Sequence, residues 1–305
     1  MTNPEITIIL PVYNGGHYLV ESVNSVLTQS FTNFELLIID DCSTDGSWKY
    51  LSGLTDSRVK LIKNETNQGL FYNLNFLIKK SSSDLIKLWA QDDIMLSNCL
   101  QSFVSFHNTH PEIGFSYSQR IMIDENGVIK ENNNIDTTPE IISKELHALI
   151  AYCTGSIAGN IANVCIQKKA LMKVGLFNET MKISADFDMW VRIAEFFPVG
   201  HINHKLIKLR DHKNQLSRNE KYFIEHVRED LTVYRKLDSY CDVETRLKGR
   251  KIMQKNKLLF YYTLMVKSFL KMNFKTTIKY INLINGHDNF FKITFYFIKS
   301  KIMNT

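Results

Sequence analysis

The chain has 305 residues, 44% hydrophobic and 22% charged, with 37 Lys and Arg against 31 Asp and Glu for a formal net charge of +6. That length supports one large domain or two ordinary ones, with a core that needs no disulfide or structural metal. Only 13 Gly and 5 Pro exclude collagen-like and Pro/Gly-rich disordered chains.

The charge is unevenly placed. Residues 1–219 hold 20 basic and 23 acidic side chains, and residues 220–305 hold 17 basic and 8 acidic ones. A mildly acidic body thus carries a basic tail, and such asymmetry points to an anionic partner: nucleic acid, an anionic membrane surface or an acidic protein. The opening MTNPEITIILPVY has no basic region followed by an apolar stretch, so no secretory signal is expected. No uncharged apolar stretch reaches about 18 residues, so no transmembrane helix is expected. The longest, residues 258–266, is closed by Lys257 and Lys267. Five scattered cysteines (Cys42, Cys99, Cys153, Cys165, Cys241) match no metal pattern and no disulfide framework, as in a reduced, cytoplasmic chain.

Residues 5–12 (EITIILPV) form a continuous apolar run, the mark of a strand covered on both faces. A helix follows over 17–28, with Leu19, Val23, Val26 and Leu27 at helical spacing. Residues 34–39 (FELLII) form a second strand, and 43–54 a helix with Ser, Thr and Asp at its start. A short strand over 58–62, a helix over 69–80, a strand over 83–89 and a helix over 95–107 complete a βα alternation, which implies a mostly parallel sheet covered by helices. Beyond it, strands are expected over 113–119, 160–167 and 199–209, and helices over 140–152, 168–174 and 186–196. Glu125-Asn126-Gly127 marks a hairpin-type turn and Gly175 a helix C-cap. From about residue 220 the pattern is almost wholly helical. The polar stretch 213–220 is the expected boundary, giving an α/β domain over 1–218 and a basic helical region over 219–305.

Ligands of open parallel sheets bind outside the carboxyl ends of the strands. Three such ends carry polar clusters here: Pro11-Val12-Tyr13-Asn14, Asp40-Asp41-Cys42-Ser43-Thr44-Asp45-Gly46, and Ala90-Gln91-Asp92-Asp93. Adjacent carboxylates repel unless a cation offsets them. Mg²⁺ is usually held by one or two carboxylates plus substrate phosphates, so two Asp pairs on one sheet edge suggest a site for a metal-bound phosphate ester. Helix capping is the structural alternative for either pair alone. No GxGxxG or GxxxxGK[ST] follows the first strand, which argues against a dinucleotide site or a P-loop. Asp186 and Asp188 open a helix, where negative charge is favoured, and Trp190 and Ile193 fit its core face. Leu209-Arg210-Asp211-His212 closes a strand.

Taken in order, PVYN at 11–14, SVLTQSFTNFELLIIDDCSTDGS at 25–47, Asn67-Gln68-Gly69-Leu70 with Asn75, Asp92-Asp93, VGLFNETMKISADFDMWVRIAEF at 174–196, Arg210-Asp211-His212 and Ser217 resemble the family 2 glycosyltransferases over about residues 5–218. The resemblance implies a GT-A fold, a Rossmann-like α/β sheet flanked by helices, and inverting sugar transfer from a nucleotide-sugar. It places Pro11, Tyr13, Asn14, Asn67, Gly69 and Asn75 around the nucleotide-sugar, Asp41 on the base imide with Asp40 close by, and Asp92 at the ribose or metal. It implies Asp93 as ligand of Mn²⁺ or Mg²⁺, with His212 near that ion and Arg210 as a positive charge beside the diphosphate. It implies Asp186 as the catalytic base. Ala90 and Ala185 depart from the family, many of whose members carry Asp and Glu there.

The resemblance implies an enzyme of bacterial surface polysaccharide or lipopolysaccharide synthesis. The expected donor is a UDP-sugar, or a dTDP-sugar with the same imide edge, and the expected acceptor a saccharide or lipid-linked glycan. In the tail, residues 250–272 and 292–303 mix Lys with Phe, Tyr, Ile and Leu, a composition suited to an anionic membrane surface on the cytoplasmic face. No recognition motif for nucleic acid accompanies the charge. A sugar nucleotidyltransferase and a non-catalytic glycan- or membrane-binding protein on the same fold are the alternatives.

Overall fold

The structure, a computed structural model, describes residues 3–130, 136–213, 215 and 219–302. Ser217 of the resemblance therefore lies outside the described residues. Two compact units divide the chain. The first comprises Met1–Ser143, Ala158–Glu179 and Arg192–Lys213, and the second Lys144–Ile157, Thr180–Val191 and Asn214–Thr305. The chain passes for the last time from one to the other beside the expected 213–220 boundary. The second unit, however, also takes in two earlier segments that lie within the expected 1–218 domain.

The strands are β1 (Ile6–Val12), β2 (Phe34–Asp40), β3 (Val59–Lys63), β4 (Leu85–Leu88), β5 (Ile94–Met95), β6 (Phe115–Ile123), β7 (Ile141–Ile142), β8 (Val164–Gln167) and β9 (Val199–Arg210). The first seven helices are α1 (Tyr18–Leu27), α2 (Ser47–Leu51), α3 (Leu70–Lys80), α4 (Cys99–Thr109), α5 (Lys144–Thr154), α6 (Lys168–Val174) and α7 (Ala185–Phe196). The nine strands form one sheet in the order β3-β2-β1-β4-β8-β6-β9-β5, with β7 on β9. Parallel ladders join β1 to β2 and β4, β2 to β3, and β6 to β9; the antiparallel ladders are shorter. The expected mostly parallel α/β sheet is what the chain forms.

Every residue of β1 and β2 is buried, which explains their unbroken apolar runs. Leu19, Val23 and Val26 of α1 join the same core, at the helical spacing that the sequence shows. After β3 the chain crosses to the other side of β1, so β1 and β4 flank the point where strand order reverses. That is where an open α/β sheet leaves a crevice. Register brings Val12 opposite Asp40, and the Trp89 N–H donates to the Ile9 carbonyl, so the three polar clusters end level with one another.

Two expectations are corrected. The helix expected over 43–54 is only α2, because Ser43 spends its side chain on the neighbouring β1–α1 turn, Asp45 divides its carboxylate between that turn and Ser47 at the start of α2, and Gly46 turns the chain at φ 94°. The helix expected from Met95 starts at Cys99, because Ile94 and Met95 pair with Lys208 and Ile207 of β9 instead.

The second unit adds α8 (Phe223–Tyr240), α9 (Val243–Lys255), α10 (Lys257–Leu270), α11 (Phe274–Asn285) and α12 (Phe290–Ile302). Its interior is aromatic. Tyr152 of α5 stacks on Tyr234 of α8 with centroids 5.9 Å apart, and its hydroxyl donates to Asp238 at 2.6 Å. Gly249 of α9 lies against that ring, where a Cβ would overlap it. Asp238 also receives Arg250 at 2.8 Å. Asp238 of the basic tail thus serves internal packing.

Candidate active site

The turn after β1 is tied to the loop after β2 through alternating backbone and side-chain bonds. Asn14 N–H donates to Ser43 Oγ at 2.9 Å, Gly15 N–H to Ser47 Oγ at 3.0 Å, and Gly16 N–H to Asp45 Oδ2 at 2.8 Å. In return, Thr44 N–H donates to Asn14 Oδ1 at 2.8 Å. Burial opposes ionisation of Asp45, but bonds from Ser47 and Gly16 outweigh it and hold the carboxyl below its ordinary range. Asn14 accepts a positive φ of 49°, tolerable for Asn. Pro11 is buried beneath this turn, while Tyr13 is about half exposed above it.

Across the β1/β4 crevice, Gln91 clamps the two sides. Its Oε1 accepts from Tyr13 N–H at 2.9 Å and its Nε2 donates to the Tyr13 carbonyl at 3.0 Å. The Ser22 hydroxyl donates to the Ala90 carbonyl at 2.7 Å and accepts from the Trp89 indole.

Asp41 is buried and accepts three protein donors: Asn64 Nδ2 at 2.8 Å, Gln68 N–H at 2.8 Å and Gly69 N–H at 2.9 Å. Asp41 thus holds the turn that leads into α3 and does not cap the helix that follows it. Gly69 makes this approach at φ 87°. A carboxylate offers about four acceptor sites, so one remains for a ligand donor. Asp40 is fully buried. Its Oδ2 accepts from Ser43 N–H at 3.2 Å, and its Oδ1 has no hydrogen-bond partner. Cys42 is half-buried at φ 63° with its Sγ on the Glu65 carbonyl.

Asp92 and Asp93 lie in the β4–β5 turn. Because β5 pairs with β9, Arg210 at the end of β9 reaches back to them. Its backbone N–H donates to Asp93 Oδ1 at 2.9 Å and its Nε to the Asp92 carbonyl at 3.0 Å. The guanidinium also pairs with Glu21 at 2.5 Å and lies 4.4 Å from the Tyr18 ring centroid. Arg210 is buried, so its charge goes into supporting this turn. His212 Nε2 lies 2.8 Å from Asp92 Oδ2, and its ring is 5.2 Å from Tyr18.

Asp93 is 1% exposed. Burial, and then the Asp92 charge beside it, push its carboxyl well above the usual carboxylate range. Asp93 Oδ2 and His212 Nδ1 are both buried without hydrogen-bond partners. Among the described residues no three His, Cys, Asp or Glu side chains converge as a ready ligand group. The donors fit a divalent ion that takes its remaining oxygens from ligand phosphates and water, not a closed protein cage. Below this turn Lys87 is fully buried, donating to the carbonyls of Leu88, Ala162 and Val164, with its ammonium 4.9 Å from the Phe103 centroid.

Two of the expected nucleotide-sugar residues sit differently. Asn67 is exposed. Asn75 is buried and fully engaged: its Nδ2 donates to the Phe177 carbonyl and Glu179, and its Oδ1 accepts from Phe177 N–H at 2.9 Å. It pins the GLFNE segment to α3, and Arg192 holds the same segment through the carbonyls of Val174 and Leu176.

In the second unit, Asp186 stands in the first turn of α7. Its Oδ1 accepts from Phe187 N–H at 2.7 Å, and Ser156 Oγ lies 3.4 Å from its Oδ2. Burial raises its pKa from 3.8 to about 6. The Phe187 N–H opposes that rise and the charge of Asp230 reinforces it. The loop before it is held by α8. Glu229 accepts the N–H groups of Lys182, Ile183 and Ser184 at 2.7, 2.9 and 2.8 Å, and Asp230 accepts from Ser184 Oγ at 2.7 Å and Tyr261 Oη at 2.6 Å. Asp188 is buried in an ion pair with Lys236. Sequence reasoning did not single out Gln91, Glu21, Lys87, Glu229 or Asp230. The adjacent acidic pair on α8 was the one available sign of the last two.

Residues 7–173 match the model of glycosyl transferase family 2, more than half of the chain. That segment contains both Asp pairs but ends before Asp186, Arg210 and His212. A glycosyltransferase of Rickettsia felis is 28% identical over 217 residues, which are 70% of this chain and 35% of that protein. The chain thus spans about a third of that relative's length. The glycosyltransferase EpsE of Bacillus subtilis is 28% identical over 222 residues, 71% of this chain and 77% of EpsE. The Escherichia coli UDP-Glc:alpha-D-GlcNAc-diphosphoundecaprenol beta-1,3-glucosyltransferase WfgD is 34% identical over 124 residues, 41% of this chain and 49% of WfgD. Among solved structures, residues 1–349 of S. aureus TarS in complex with UDP-GlcNAc superpose with a TM-score of 0.69 at 17% identity, covering 92% of this chain and 79% of that one.

Proposed function

The chain belongs to glycosyl transferase family 2, and from that premise we propose that it moves a sugar, with inversion, from a UDP-sugar to a hydroxyl of a saccharide or lipid-linked saccharide. One observation carries this reading: two carboxylate pairs and a clamped β1 turn meet at the crevice where strand order reverses. The donor named for WfgD and the nucleotides bound to TarS support a UDP-sugar. The diphosphoundecaprenol named for WfgD supports a lipid-linked acceptor. We assign the reaction to synthesis of a surface polysaccharide such as O-antigen or capsule.

The fourth acceptor site of Asp41 takes the imide N–H of the base, and Tyr13 and Asn14 border the nucleotide. Asp186 takes the proton of the acceptor hydroxyl as that oxygen attacks the anomeric carbon. The new C–O bond forms as the bond to the diphosphate breaks, and the electron pair leaves with the nucleoside diphosphate. No covalent enzyme intermediate is required. Asp92, Asp93 and His212 would hold Mn²⁺ or Mg²⁺, which when bound supplies Lewis-acid stabilisation of the leaving diphosphate. The lysine-rich helices of the second unit associate with an anionic membrane surface on the cytoplasmic face.

Titration calorimetry with UDP tests the donor site. Asp93→Asn is expected to weaken Mn²⁺-dependent UDP binding by about tenfold or more, and a chelator should weaken wild-type binding similarly. Binding that ignores both changes would remove the metal from this reading.

A further inference from the structure

Several exposed apolar side chains in the second unit are concentrated where α10 turns into α11. Phe269 is 54% exposed, Leu270 73%, Met272 74%, Phe274 52% and Ile278 57%. Single exposed apolar residues are ordinary, but five within ten residues are not. The turn itself is unusual. Met272 N–H donates to the Phe269 carbonyl and Asn273 N–H to the Ser268 carbonyl, the bond pattern of a helix end that places one residue in the left-handed region. Glycine normally fills that position, yet here it is Met272, at φ 56°. The protein holds an apolar side chain in a disfavoured backbone conformation and covers little of it.

Basic side chains dominate the surrounding charge. Lys267, Lys271, Lys275 and Lys279 recur every fourth residue through this turn, and all four are exposed. Residues 257–305 contain eight Lys, no Arg and one acidic residue, Asp288. The ion pair of Lys271 with Glu220 is exposed on both sides and is no substitute for a partner. On α12, Phe291, Phe295, Ile298 and Ile302 form a second exposed stripe along one helix face, flanked by the exposed Lys292 and Lys299. Among the described residues no helix is long and apolar enough to cross a membrane. A dense cationic surface with an apolar tip matches the layered chemistry of an anionic bilayer, phosphate outside and acyl chain beneath.

We propose that the α10–α11 turn is the insertion point of this chain in an anionic lipid surface: Leu270, Met272 and Phe274 enter the acyl boundary and the four lysines meet lipid phosphates. This rests on the membrane association proposed above and specifies its contact. The test is co-sedimentation of the full chain with vesicles of phosphatidylcholine containing about one third phosphatidylglycerol, against phosphatidylcholine alone. Met272→Gly keeps the turn and relieves its backbone, so it should fold as well as wild type. Combined with Leu270→Ser it should lower partitioning about tenfold, and Lys271→Glu with Lys275→Glu should lower it similarly. Transfer to a water-soluble acceptor should be unchanged in all of them. Wild type that ignores the anionic vesicles overturns the membrane reading altogether. Wild type that binds them, with variants that bind equally well, overturns only the insertion point. A wild-type oligomer that these substitutions disperse, without vesicle binding, makes the surface a self-association site and also overturns the proposal.

Discussion

Asp186→Asn should lower sugar transfer by roughly 10²- to 10⁴-fold, the usual contribution of a positioned general base. Affinity for UDP should change little, because the proposed donor contacts lie elsewhere in the chain. The pH profile gives the sharper check. Asp186 works ionised, and burial has raised its pKa to about 6. The wild-type kcat/KM should therefore fall on the acid side of about pH 6, by tenfold per unit, and level off above it. The variant's residual rate should lack that limb. Stability should move the other way. A carboxyl whose folded pKa lies above its unfolded value stabilises the fold at low pH, and that contribution is lost as pH rises from about 4 through about 6. The asparagine never carries the buried charge, so the Tm of Asp186→Asn near neutral pH should be no lower than wild type. A destabilised variant with normal transfer would remove Asp186 as the base.

Glu229→Gln is the second substitution with a large expected effect. The carboxylate accepts three consecutive backbone N–H groups just before α7. An amide has only one acceptor oxygen, so at least one buried donor loses its partner, at about 1–3 kcal/mol. The loop that carries Asp186 should shift with it. A misplacement on the order of 1 Å costs about 10²-fold in rate, so kcat should fall steeply while KM stays nearly constant. The acid limb of the pH profile should move as well, because the Asp186 environment changes. Lowered Tm with unchanged kcat and unchanged pH profile would reduce Glu229 to a purely structural clamp.

Much of the first unit was legible because its causes are local. The apolar runs of β1 and β2 record burial on both faces, and the polar residues that end them mark the sheet edge at which open α/β sheets bind their ligands. What stayed hidden depends on partners distant in sequence. Ser43 looks like a helix cap, but its oxygen serves Asn14, and Asp45 serves both Gly16 and the first residue of a helix that starts only at Ser47. Two residues of β5 carry no period of their own and become a strand only because β9 lies beside them. Arg210 resembles a diphosphate contact by its place in the chain. The pairing of β5 with β9 instead turns it toward Glu21, Tyr18 and the Asp92 carbonyl.

The same reasoning applies to the second unit. The basic excess of residues 220–305 was visible, but the roles of its few carboxylates were not. Glu229 and Asp230 hold the loop before Asp186, and Asp238 anchors Tyr152 and Arg250. Those contacts join residues between 12 and 86 positions apart only in the folded chain, and no spacing in the sequence announces them.

The products of the reaction test inverting sugar transfer most directly. Wild-type protein is incubated with a UDP-sugar, Mn²⁺ and an acceptor, and released nucleotide is measured against sugar transferred, with the anomeric configuration read by NMR. The expected result is one free UDP for each sugar transferred, with the anomeric centre inverted. Release of pyrophosphate in place of UDP, or retention at the anomeric carbon, would contradict it.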